Sequence, residues 1–156
     1  YMDVRYVAQG EDMKVYKNLV SQDSKMKFLK AFWKNLDPTP DTPTNERLIE
    51  HIRRMRHAED HFFGGHGKRG SDTDKGRVYI KYGPPDDLQY GTSASGQKPY
   101  EIWTLEKKGR NEFVFRDQRG LGVFELVHST YPGEVHNPHW NEVWEPPAPV
   151  LRGRRR

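Results

Sequence analysis

The 156-residue chain contains no cysteine, which excludes disulfides, thiolate nucleophiles and cysteine-ligated zinc. It also lacks a long apolar run. Apolar residues make up only 33%, and no stretch approaches the roughly 20 consecutive residues that a membrane helix requires. A basic domain is missing too. The chain has 26 Lys and Arg against 22 Asp and Glu, and the four arginines within residues 152–156 account for the whole net charge of +4. The rest of the chain is balanced, so the basic character belongs to a tail and is not the footprint of a nucleic-acid-binding surface. What the chain does have is aromatic rings, at 12%. Their large area per residue lets a chain poor in aliphatics build a core, and the length suits one domain. The chain opens mid-pattern at Tyr1 without an initiator Met, which reads as a piece of a longer protein.

The first half has helical periodicity. Met13, Tyr16, Leu19 and Val20 share a face, which predicts a helix over about 11–20. A second is predicted over 22–36, capped by Ser21 or Asp23, with Phe28, Leu29, Phe32, Trp33 and Leu36 as its apolar stripe. It must stop before Asp37-Pro38, because a residue ahead of proline is pushed out of the α region. A third is predicted over 44–63, with Thr44 as cap, Leu48, Ile52, Met55, Ala58 and Phe62 inward, and Arg53, Arg54 and Arg56 on the opposite face.

From Arg77 the period changes to two. Strands are predicted over about 77–82, 100–105, 112–116 and 122–128, with turn residues between them. Residues 132–156 turn Pro-rich and irregular, with Trp140 and Trp144 as anchors ahead of the arginines. The expected fold is therefore α+β: two or three N-terminal helices, an antiparallel β-meander completing a domain over 1–131, and an extended Pro/Trp-rich C-terminal arm over 132–156.

The segments FLKAFWKNLDPTPDTPTNE, GSDTDKGRVYIKYGPPDD, YEIWTL, FVFRD and GVFELVHS, in that order and spacing, resemble the GWxTD domain family. The eponymous motif falls on Gly70, Ser71, Asp72, Thr73 and Asp74, with Ser71 where the family has Trp. The resemblance implies a bacterial protein that is exported or lipid-anchored, and hence a periplasmic or outer-membrane-associated location. It carries no biochemical activity and so no catalytic residue. At the level of fold, the helical pair, the YGPPDD turn and the central EIW strand also resemble small outer-membrane assembly lipoproteins of the BamE type.

Several residues invite chemistry. Asp72 and Asp74 could serve metal or proton transfer, but Asp74-Lys75-Gly76 suits a turn feeding a strand, and Asp72 and Thr73 can bond their own backbone there. Gly83-Pro84-Pro85-Asp86 lacks the glycine repeat and helix start of a phosphate loop. His57 and His61 lie at i and i+4, a spacing that binds zinc, yet the helix lacks the H-E-x-x-H order. No metal site is assigned, His57 and His61 standing as its candidates, and no cofactor is expected.

The reading is a non-catalytic structural or interaction domain within a larger extracytoplasmic bacterial assembly. Trp140, Trp144, Arg152, Arg154, Arg155 and Arg156 would bind a protein partner. Two other classes compete with it: a metal-dependent enzyme using His57 and His61, and an anionic-surface or nucleic-acid binder using the arginine tail.

Overall fold

The computed structural model describes residues 3–91, 98–107 and 109–141. Among these residues four helices, α1 Gly10–Asn18, α2 Gln22–Asn35, α3 Glu46–His61 and α4 Asp74–Tyr82, precede four strands. The strands, β1 Asp87–Gly91, β2 Tyr100–Leu105, β3 Asn111–Arg116 and β4 Glu125–Ser129, form one antiparallel sheet in the order β1-β2-β3-β4. The fold is α+β, N-terminal helices followed by a meander, as the periodicity implies. Among the described residues no helix is long and apolar enough to cross a membrane.

Local chemistry sets the helix starts. Ser21 accepts a hydrogen bond from the Ser24 amide at 3.1 Å and opens α2. Asn45, not Thr44, caps α3. Its Oδ1 accepts from the Leu48 amide at 2.9 Å while its Nδ2 donates to the Trp33 carbonyl at 2.6 Å, tying α3 to the end of α2. The inward side of α3 follows the apolar stripe only in part, with Leu48 and Phe62 packed inward. His51 and Ala58 are buried while Ile52 is exposed, and the Arg54 guanidinium turns inward to donate to the Ile80 carbonyl at 3.2 Å.

The main correction concerns residues 77–82, which are helix, not strand. Thr73 caps α4 by accepting from the Gly76 amide at 2.9 Å, and Gly83 ends it at φ 103°, where a side chain would be strained. The misleading alternation has a physical cause. Gly76, Val78 and Ile80 are all buried because α4 lies between α3 and the sheet. Residues two apart on a helix point about 200° apart, so a helix buried on both sides mimics the period of a strand. The first strand is β1, downstream of the Gly83-Pro84-Pro85 reversal.

Two hydrophobic clusters result. Val4, Leu29, Phe32 and Trp33 knit the N-terminal segment to α2. Val78, Trp103, Leu105, Phe113 and Phe115 join α4 to the inner face of the sheet. Trp103 is central to the second, 4.8 Å from the Phe115 ring and 5.6 Å from Phe62.

Candidate functional site

The joint between α3 and α4 holds residues 70–74, and nearly every group in it has a structural partner. Gly70 has no space for a side chain, since a Cβ there would lie 1.9 Å from the Ala58 carbonyl oxygen; at Gly76 it would lie 2.0 Å from the Gly70 carbonyl oxygen. α3, the short 3-10 turn Gly70–Asp72 and α4 therefore meet backbone to backbone. Thr73 donates its hydroxyl to the Gly70 carbonyl at 2.7 Å while capping α4. Glu59, reaching from α3, accepts from the Gly70 amide at 2.9 Å and the Ser71 hydroxyl at 2.6 Å.

The two aspartates act outward from this joint. Asp74 accepts from the Leu126 amide at 2.8 Å, tying the start of α4 to β4. Asp72 pairs with Arg5 and with Arg69, 3.3 Å away, and both arginines also meet Asp3. Desolvation pushes the Asp72 carboxyl up, but the hydrogen bonds from Arg69 and Arg5 outweigh it and hold it below the usual range. The Tyr6 hydroxyl completes the link by donating to the Ser71 carbonyl at 3.0 Å. The motif thus ties together the N-terminal segment, α3, α4 and the last strand. The family pattern matches residues 2–144.

The chain belongs to the GWxTD domain family. No curated protein and no solved structure matches it. Within this GWxTD domain, Ser71 takes the position of the motif's Trp, and its side chain is fully buried against Glu59.

The histidine pair is taken up in ring stacking. His57 and His61 do share a face, but their rings stack at 4.1 Å and 11°, and His57 stacks on Tyr79 at 4.2 Å and 10°. His61 Nδ1 donates to the His57 carbonyl at 3.0 Å. Burial, then the neighbouring His61, pushes the His57 pKa down. Among the described residues no group of three or more His, Asp or Glu converges as a metal cluster. The pair borders a shallow cleft of about 400 Å³ beside Ile49, Ile52, Arg53, Arg56 and Asp60.

Two buried ionic contacts had no local signal in the sequence. Lys75 of α4 meets Glu101 of β2 at 2.6 Å, and the other Glu101 oxygen accepts from Trp103 Nε1 at 3.2 Å. Glu134, in the turn after β4, receives both Arg77 Nη atoms at 2.8 Å and the Tyr82 hydroxyl at 2.5 Å. Burial alone would raise its carboxyl, but Arg77 and Tyr82 bring it down to about 2.

The C-terminal segment folds back onto the sheet as far as it is described. Trp140 meets Tyr100 of β2 edge-on at 5.1 Å, and its carbonyl accepts from Arg116 of β3 at 3.0 Å. Trp140 is therefore an anchor on this chain's own sheet. Trp144, Arg152, Arg154, Arg155 and Arg156 lie outside the described residues.

Proposed function

We propose that this GWxTD domain is a non-catalytic structural and interaction module of a larger extracytoplasmic bacterial assembly. One observation carries the reading. The groups of the signature motif that resemble reactive residues are engaged in joining the domain to itself: Asp74 to Leu126, Asp72 to Arg5 and Arg69, and Ser71 to Glu59. Such a motif specifies a rigid platform, and function on a platform lies in what its surfaces and extensions contact. Beyond the Trp140 anchor the sequence continues through Trp144 and a Pro-rich stretch into four arginines. An aromatic anchor, a stiff spacer with low ordering cost and a charged end suit capture of an acidic protein surface.

The test is deletion of residues 150–156 in the full-length native protein. The expected result is a smaller assembly by light scattering and an unchanged melting temperature. Loss of the fold on deletion, or an assembly of unchanged size, overturns the reading.

A further inference from the structure

We infer that the outer face of the sheet carries a pH-sensitive latch, in which neutral His128 holds the C-terminal strap of residues 135–141 and protonation of its Nδ1 lets the strap go. This goes beyond the interaction role and does not depend on what the arginine tail binds.

The latch begins with an irregularity in β4. Phe115 pairs with Leu126, but Val114 pairs with His128, so Val127 is an extra residue on that strand. Leu126 packs on the inner core cluster. In regular alternation residues 126 and 128 would share that face. The bulge instead sends His128 to the opposite face with Val114, and re-aiming a side chain is a recurrent use of bulges. There the ring is nearly buried, and its Nδ1 accepts a hydrogen bond from the Asn137 backbone amide at 3.0 Å.

The direction of that bond makes it a switch. An amide nitrogen can only donate, so Nδ1 must present a lone pair and the ring proton must sit on Nε2. A proton added to Nδ1 puts two donors face to face and removes the bond. The nearest strap ring, His136, is centred 5.1 Å away, and its own Nδ1 donates to the Ser129 carbonyl at 3.0 Å. A charge on His128 therefore loses its Asn137 partner and faces a second imidazole, which disfavours it. Glu112 of β3 is the acidic group that favours the charged form. Burial, then His136, outweighs it, so His128 titrates below an ordinary histidine and the latch is closed at neutral pH. Three of the strap's other holds, Arg116 on the Trp140 carbonyl, Tyr100 on the Trp140 ring and the Ser129 amide on the Val135 carbonyl, contain no imidazole, and the His136 Nδ1–H bond to the Ser129 carbonyl survives protonation of that ring. They keep the strap near the sheet while its middle opens.

The experiment is amide hydrogen exchange on the full chain between pH 7.5 and 5, comparing the wild type with His128→Asn, whose Oδ1 can take the Asn137 amide but cannot titrate. In the wild type, protection of the Asn137 amide should fall up to about tenfold by one unit below the free-histidine pKa, while the Phe113 and Val114 amides keep theirs. In His128→Asn protection at Asn137 should not change over this range. Equal loss in both proteins, no loss in the wild type, or simultaneous loss at Phe113 overturns the latch. His136→Gln tests it independently of whether the Asn variant folds. Removing the second imidazole should move the wild-type midpoint to higher pH, and an unmoved midpoint also overturns it.

Discussion

The guanidinium of Arg77 grips the carboxylate of Glu134 through two parallel hydrogen bonds of 2.8 Å, fastening the turn after β4 to α4. Only 6% of the Glu134 side chain is exposed, and the Tyr82 hydroxyl donates to the same carboxylate. Paired planar groups of this kind combine charge with fixed geometry, which Lys at position 77 would not reproduce.

Glu134→Ala should therefore lower stability by about 2–3 kcal/mol at pH 7, because it leaves the Arg77 charge and the Tyr82 hydroxyl without their acceptor. The pH dependence has a definite sign. The carboxyl titrates near 4.5 when free and at about 2 in the fold. Its contribution is then complete above about 4.5 and is lost as pH falls towards 2. Urea unfolding at pH 7 and pH 3 checks this: the gap between wild type and Glu134→Ala should narrow in acid. A gap that stays constant would mean that charge is not what holds the turn.

Asp74 gives a smaller and more local expectation. Its Oδ2 receives the Leu126 amide at 2.8 Å, so Asp74→Ala should cost about 1–2 kcal/mol through one lost charge-assisted bond. Asp74→Asn keeps an acceptor and should recover a large part of it. Exchange at the Leu126 amide should quicken in the Ala variant more than at other β4 amides. If the loss is spread evenly over the domain, Asp74 acts through the helix start and not through the strand.

How much of this was legible in the sequence varied with how local the cause is. The Ser21 cap and the stripe through Leu29, Phe32 and Trp33 mark α2 within a few residues, and the alternation around Trp103 and Phe113 marks β2 and β3. α4 was misread because Val78 and Ile80 are β-branched and because burial on two faces imitates a strand. β1 was missed because its Asp87, Leu88, Gln89 and Tyr90 are all exposed at a sheet edge, which leaves no apolar face to detect. The motif was legible as a frame, but its partners were not. Arg5 lies 67 residues from Asp72, and Glu134 lies 57 from Arg77; no local spacing signals a contact that the completed fold creates.

His51 tests the N-terminal side of the same frame. It is fully buried in α3, 4.9 Å from the Trp33 ring, and its Nε2 donates to the Asp3 carbonyl at 3.0 Å. Among the described residues its buried Nδ1 has no hydrogen-bond partner. A proton there would put an uncompensated charge in the core, and burial accordingly brings the pKa down to about 4. The unfolded chain binds that proton near 6.5, so between these values the unfolded state holds more protons and stability rises with pH. The His51 contribution is complete above about 6.5 and declines as pH falls to about 4, by at most about 3 kcal/mol. Glu134 acts over the lower window, from about 4.5 to 2, so acid should weaken the domain in two stages. His51→Gln can keep the donor to the Asp3 carbonyl and removes the titration. Urea unfolding at pH 7.5, 5 and 3.5 should show the upper stage flattened in this variant and the lower stage intact. An upper stage that survives the substitution would assign the loss to other histidines, His57 and His128 first among them.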